Sequence, residues 1–235
     1  MQVREYKDVD FTMLDTGDLV NLALQRSSSL AGILPPRRKH PDNWRDIYAK
    51  RVDEAREDIL ESIWNEIRSN YLTVRGSLAA LNPNSVADIG CGQSFIDLMI
   101  YDDTQAALVL IDIEETADIY FGFDKETGSG YASLNKARDF LVSNGVSTNA
   151  IATFNPKQTL QEDLPDVDVA CSFISCGFHY PVATYDTFLT NRVKNAIILD
   201  VRKGQVDQTL FQRFGKSLII AQERKFWRIL TLKNR

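Results

Sequence analysis

Val86-Ala87-Asp88-Ile89-Gly90-Cys91-Gly92-Gln93-Ser94 reads as a buried strand that runs into a glycine turn, with a helix starting behind it. Val86, Ala87 and Ile89 supply the short apolar run of a strand covered on both faces. Gly90 and Gly92 can take positive φ and let a ligand lie against bare backbone. Ser94 with Asp97 three residues on has the form of a capping box, and Phe95, Ile96, Leu98 and Met99 continue as an apolar helix. A strand, glycine loop and helix in that order put a small ligand at the carboxyl edge of a parallel sheet.

Downstream, Ala107-Leu108-Val109-Leu110-Ile111-Asp112 is a second apolar run that ends in an acid, twenty positions after Gly92. An acid at that distance, on the tip of the second strand, meets a ribose diol. The dinucleotide fingerprint G-x-G-x-x-G needs glycine at position 95, where this chain has Phe95. That glycine serves close helix–strand packing beside a pyrophosphate, so its absence favours a nucleoside ligand without one. The G-x-x-x-x-G-K-[ST] phosphate loop is also absent, which argues against an ATP or GTP machine.

Val-Ala-Asp-Ile-Gly-Cys-Gly resembles the first motif of the class I S-adenosylmethionine-dependent methyltransferases, hydrophobic-hydrophobic-Asp-x-Gly-x-Gly-x-Gly, with Ser94 in place of the third glycine. The resemblance covers roughly positions 85 to 235. It implies an α/β, Rossmann-like seven-stranded sheet, mostly parallel with a C-terminal antiparallel hairpin. It implies S-adenosyl-L-methionine as cofactor, with Asp88 and the Gly90-Cys91-Gly92 loop under its amino-acid part and Asp112 on the ribose hydroxyls. Ile113 and Asn155 follow strands two and three, Ser172 lies near the end of strand four, and all three join the cofactor site by the same resemblance, Asn155 toward the adenine.

Composition is that of an ordinary globular chain: 235 residues, 44% hydrophobic and 25% charged. No apolar run reaches eighteen residues, so no membrane span is expected, and the N-terminus lacks a signal-peptide apolar region. Cys91, Cys171 and Cys176 cannot all pair internally and show no C-x-x-C metal spacing. Reduced thiols in a cytoplasmic protein without a metal site are the simplest reading. The net charge of −5 is unevenly spread: positions 85–170 hold 4 Lys/Arg against 15 Asp/Glu, net −11, and positions 202–235 hold 9 against 2, net +7. An acidic sheet edge disfavours nucleic acid, while the basic tail reads as a solvated strand face or as a hold for an anionic substrate.

Two parts are expected: an N-terminal helical extension over 1–82 packing on the core, and a cofactor-binding domain over 83–235. In the extension Asp15 to Leu24 form a short helix, Ser27 to Pro36 break the pattern, and Arg37-Arg38-Lys39-His40 reads as an exposed linker. From about Asp42 to Leu72, Tyr48, Val52, Ala55, Ile59, Ile63, Ile67 and Tyr71 step by three or four along one helical stripe. Gly76 is expected to end or kink that helix, and Leu78 to Leu81 to lead into the first strand. By the resemblance such helices roof the site; a scaffold or homodimer helix is the equal alternative. Residues 113–130, with Tyr120, Phe121, Phe123 and three glycines, form a long loop that lies over an adenine, lines an acceptor pocket, or packs as core. A helix over 131–144 stops at Gly145, and further strands fall at 150–154, 167–173, 196–201, 218–221 and 226–232.

The loop after the fourth strand, Ile174-Ser175-Cys176-Gly177-Phe178-His179-Tyr180-Pro181, is the candidate reacting centre. Methyl transfer is a one-step displacement in which alignment carries much of the barrier reduction. A hydroxyl acceptor also gives up a proton, and a histidine near neutral pKa suits that task. His179 is therefore the candidate general base and Tyr180 the residue that orients the acceptor; the bland alternative has His179 bonding a loop carbonyl. Cys176 has no covalent role in such a transfer, and Asp200 and Arg202 are weaker candidates for touching substrate. No Asp/Asn-Pro-Pro-Tyr/Phe motif follows strand four, which lowers base and protein-amide N-methylation. The expectation is a methyltransferase for a small-molecule hydroxyl acceptor, with a weaker resemblance to sugar O-methyltransferases in this loop and in Tyr120–Tyr131. The competing readings are RNA or protein methylation, and a catalytically silent partner subunit that keeps the fold.

Overall fold

The computed structural model describes residues 3–26, 44–114, 133–204 and 211–234. Seven strands form one sheet: β1 (Ser85–Ile89), β2 (Ala107–Ile111), β3 (Ile151–Phe154), β4 (Val167–Ser172), β5 (Val193–Arg202), β6 (Gly215–Gln222) and β7 (Phe226–Lys233). Their order is β3-β2-β1-β4-β5-β7-β6. The first five run parallel, and β7 pairs antiparallel with both β5 and β6. This is the expected α/β sheet of seven strands, mostly parallel with a C-terminal antiparallel hairpin. The chain leaves β1 for β2 on one side and returns to β4 on the other, so a crevice opens at the carboxyl ends of β1 and β4.

The central strands read as continuous apolar runs because both faces are covered. Val86, Leu108, Leu110, Val169 and Ile198 point into one buried cluster, and Ala87, Ile89, Val109, Ile111, Ala170 and Ile197 into another. The helices are α1 (Thr16–Gln25), α2 (Trp44–Glu54), α3 (Arg56–Leu81), α4 (Phe95–Thr104), α5 (Leu134–Ser143) and the short α6 (Asp186–Asn191). Between β3 and β4 a single 3-10 turn, Gln161–Asp163, replaces the helix that strict strand–helix alternation requires.

The first cluster joins the N-terminal helices to the sheet without a gap. Phe11 sits at its centre, within 6 Å of the rings of Tyr6, Trp64, Phe95 and Phe140. Arg4 clamps Asp102 through two bonds of 2.7 and 2.9 Å, and Arg75 holds Asp103 at 2.6 Å. Six residues of the helical stripe, Tyr48, Val52, Ile59, Ile63, Ile67 and Tyr71, are buried, so that stripe is spent on packing within the chain. The basic run Arg37–His40 and the aromatic, glycine-bearing stretch from Tyr120 to Gly130 lie outside the described residues.

Two expectations for the extension are corrected. The stripe belongs to two helices: the backbone breaks at Ala55 (φ −122°, ψ 29°), although no glycine or proline stands there. The cause is tertiary. Asp53 accepts the Thr16 hydroxyl at 2.6 Å on the α1 side, while Arg56 donates to the carbonyls of Phe11 and Leu14. Those contacts pull the flanking turns to different partners. The second correction is Gly76, which neither ends nor kinks α3. The helix runs on to Leu81 and stops where Asn82 turns left-handed, φ 44°.

Gly76 lies exposed in the interior of α3, and a Cβ added there meets nothing within 4 Å. Gly76→Ala is therefore expected to raise stability by about 0.5–1 kcal/mol in denaturant titration, by lowering the entropy of the unfolded chain.

Candidate functional site

The glycine loop takes a conformation that glycine favours at three alternate positions. Gly90, Gly92 and Ser94 have φ of 82°, 55° and 58°. Ser94 stands where the sequence pattern has its third glycine, and it adopts that glycine's left-handed backbone at a cost of about 1–2 kcal/mol. The expected capping box is absent for that reason: a left-handed Ser94 makes no side-chain cap bond to α4. Its hydroxyl and both carboxylate oxygens of Asp97 are instead buried with no partner at hydrogen-bond geometry among the described residues.

Asp112 organises the loop from the neighbouring strand tip. One oxygen accepts the Gly92 amide at 2.8 Å, and the other accepts the Ile113 amide at 2.7 Å. Crowded surroundings push its carboxyl up to about 6, against the pull of the two amides. Asp88, at the end of β1, is buried with one oxygen unpartnered, and burial followed by the charge of Asp97 pushes it well above the carboxylate range. Asp97 is pushed up to about 7 by burial. Cys91 and Cys171 are buried thiols raised for the same reason, and Cys176 is pushed up to about 12, so it stays a thiol at neutral pH.

The loop after β4 closes on this arrangement. Ile174 holds φ 58°, a strained conformation for a β-branched residue. It places Ser175 directly over Gly90, where an added Cβ would collide with the serine side chain. The Ser175 and Tyr180 hydroxyls are 2.9 Å apart. Tyr180 and Tyr185 lie side by side, 6.1 Å between centroids, and both feel the charge of Asp112. His179 is exposed at the loop tip, edge-on to Phe178 at 5.1 Å. Burial of its surroundings and the nearby Arg202 push it below the ordinary histidine value. Arg202 itself stacks on Phe178 and donates to the Phe178 carbonyl at 3.1 Å.

The remaining sequence candidates divide. Asn155 lies beyond β3, where its amide reaches Glu114 at 3.4 Å and its side-chain oxygen accepts the Lys157 amide. Ser172 is fully buried: it donates to the Ile89 carbonyl at 2.5 Å and accepts the Cys176 amide at 2.8 Å. Its side chain thus ties β4 to β1 and shapes the loop rather than facing the crevice. Asp200 is corrected as a substrate contact. It is fully buried and takes both ends of the Arg228 guanidinium, at 2.7 and 2.8 Å. The Ile174 amide lies close enough to act on the same carboxylate, so Asp200 backs the strained loop.

Residues outside the sequence-based set join the site. Asp97 was legible only as a helix-cap partner and Ser175 only as part of the loop after strand four, while Tyr185 carried no signal. Gln25 carried none: it ends α1, and its side-chain oxygen lies 3.7 Å from where a Gly92 Cβ would be. The end of α1 therefore reaches the glycine loop. Arg228 joins α3 to the site, donating to the Asn70 carbonyl at 2.9 Å and to the Thr73 hydroxyl.

No protein-family model matches this chain, and no curated protein matches it. Solved structures do resemble it in fold. The methyltransferase domain of a bacterial Hen1 is 13% identical, with a TM-score of 0.46 over 73% of this chain and 100% of that one. A precorrin-6y C5,15-methyltransferase from Geobacter metallireducens is 14% identical, TM-score 0.43, over 69% of this chain and 88% of that one. A candidate O-methyltransferase from Klebsiella pneumoniae is 12% identical, TM-score 0.44, over 94% and 90%. The fold assignment rests on this chain's own strand order.

Removing one half of a buried ion pair strands the other charge. Arg228→Ala is expected to cost about 3–5 kcal/mol in denaturant titration. The paired Asp200→Leu/Arg228→Met replacement should recover most of that loss.

Proposed function

We propose that this chain is an S-adenosylmethionine-dependent methyltransferase whose acceptor is the hydroxyl of a small molecule, a sugar being the finer reading. The carrying observation is Asp112, which holds the Gly92 amide beside a left-handed glycine loop at the switch point of the sheet.

Three features of the site fit that cofactor. Gly92 is the open position of the loop: a Cβ there meets only the Gln25 side chain, at 3.7 Å, which suits a ligand laid against backbone, whereas Gly90 is covered by Ser175. Each Asp112 oxygen accepts one amide and keeps lone-pair capacity for a ribose hydroxyl. Asp88 and Asp97 add buried acid beneath the loop, which favours a positively charged ligand over a phosphate. When bound, S-adenosylmethionine supplies an electrophilic methyl group on a positively charged sulfur. The residues of this chain align the acceptor and manage its proton. Burial holds the Tyr180 phenol protonated and Ser175 fixes its hydroxyl, so Tyr180 can orient an acceptor oxygen. His179, held below its ordinary value, is neutral at pH 7 and can take the acceptor proton on a ring nitrogen. The −11 charge over 85–170 supports a small acceptor over a polyanionic one.

Calorimetric titration tests the cofactor. Wild type is expected to bind S-adenosylmethionine and S-adenosylhomocysteine, and Asp112→Ala to weaken both by about tenfold or more. Binding of neither ligand by wild type would overturn the assignment. Acceptors can then be screened by methyl-group transfer. His179→Ala should lower turnover by about 10²–10⁴-fold and abolish an acid limb whose midpoint lies below 6.5 in wild type. An unchanged rate and pH profile would remove His179 from the role of base.

A further inference from the structure

We propose that Asp88 and Asp97 hold one proton between them beneath the glycine loop, and release it to solvent when a ligand bearing an amino-acid ammonium occupies that loop. The inference rests on the cofactor reading above and assigns a binding role to Asp97, which sequence reasoning treats only as a helix cap.

Asp88 is 2% exposed and Asp97 fully buried, on adjoining elements, β1 and the first turn of α4. Each acts directly on the other. Among the described residues one Asp88 oxygen and both Asp97 oxygens meet no partner at hydrogen-bond geometry, although the Asp88 carboxyl and the Ser94 hydroxyl lie close enough to act on Asp97; two ionised carboxylates can only accept. One added proton converts acceptor facing acceptor into a hydrogen bond. Two buried like charges without that proton carry a full desolvation penalty and mutual repulsion.

Among the described residues, the groups around the pair supply no counter-charge. Asp112 faces it from β2, Cys91 from the loop and Cys171 from β4. Arg228, from β7, acts on Cys171 behind the pair and is committed to Asp200. Gln25, from α1, is neutral. Two further buried oxygens in the same loop, Gln93 Oε1 and the Ser94 hydroxyl, also lack partners. Ser94 leans on Asp97. A cationic group at Gly90–Gly92 would bring the missing charge and favour the doubly ionised pair. Its binding would then be coupled to loss of the shared proton.

The sign is fixed by the direction of both shifts. Asp97 is pushed up to about 7 and Asp88 also lies above its ordinary value. The free folded protein then holds more protons than the unfolded chain between about pH 4 and 7. Its stability falls as pH rises through that window, and ligand binding strengthens over the same range.

The test is titration calorimetry of the full chain with S-adenosylmethionine at about pH 6.5, in two buffers of different ionisation enthalpy. The expected result is release of about one proton per ligand in wild type, with affinity rising up to roughly tenfold per pH unit below about pH 7. Asp97→Asn should show no buffer dependence and a flat affinity over the same range. Infrared spectroscopy gives a second readout that does not need the variant. Free wild type should show a protonated-carboxyl band that disappears on adding S-adenosylmethionine. Binding heat independent of buffer in wild type, or a band unchanged by ligand, would overturn the inference while leaving the cofactor reading intact. Failure of S-adenosylmethionine and S-adenosylhomocysteine to bind at any pH would overturn the cofactor reading and the coupling with it; the free protein's infrared band would still show whether the acids share a proton.

Discussion

The buried ion pair between Asp200 and Arg228 connects parts of the molecule that have no other reason to keep register. Asp200 ends the parallel half of the sheet on β5, and Arg228 sits across the antiparallel pairing on β7. From there the guanidinium reaches Asn70 and Thr73 on α3, while the amide of Ile174 acts on the carboxylate. One charge pair therefore fixes the hairpin, the N-terminal helices and the loop after β4 relative to one another. Burial of this kind adds little net stability compared with apolar packing, and its value lies in geometry: the pair is satisfied in one arrangement only. Burial pushes the Asp200 carboxyl up, and Arg228 opposes that push most strongly among its neighbours.

The strain at Ile174 gains meaning in that setting. A left-handed β-branched residue persists only where its surroundings over-determine it. Here the Asp200 carboxylate on one side and Ser172, bonded to Ile89 and Cys176, on the other leave the loop no other course. The result is that Ser175 lies on Gly90 and Tyr180 hangs beside it. A loop so held is a rigid wall for a ligand, which suits chemistry whose barrier is reduced mainly by alignment. Gln93, Ser94, Asp97 and Asp88 share a second constraint, among the described residues an excess of buried acceptors over donors. That imbalance is unfavourable in the free chain and points to a ligand that brings positive charge.

Much of this was legible before any coordinates. The glycine loop, the acid twenty positions on, and the apolar runs of the strands are local signals, because buried parallel strands leave continuous apolar sequence and positive φ favours glycine. The stripe from Tyr48 to Tyr71 was equally plain, since helical burial repeats every three or four residues. The break at Ala55 was not, because Arg56 and Asp53 create it by bonding residues forty positions away. Gly76 misled for the complementary reason: glycine lowers helix propensity, but α3 is held by the tertiary contacts of its other face.

The site divides along the same line. Sequence alone determined that a strand, a glycine turn and a helix meet here, that Asp112 stands at the neighbouring strand tip, and that the histidine-bearing loop follows the fourth strand. These follow from chain order and spacing, which the topology of a parallel sheet converts directly into position. Only the tertiary structure decided what each side chain does there. Ser94 and Asp97, three residues apart, suit a helix cap by spacing, and the left-handed turn at Ser94 abolishes it. Asp200 ends a strand beside the crevice, yet its partner lies 28 positions away and turns it into an anchor. Burial, charge pairing and backbone strain are properties of the surroundings, and in this chain those surroundings come from distant segments.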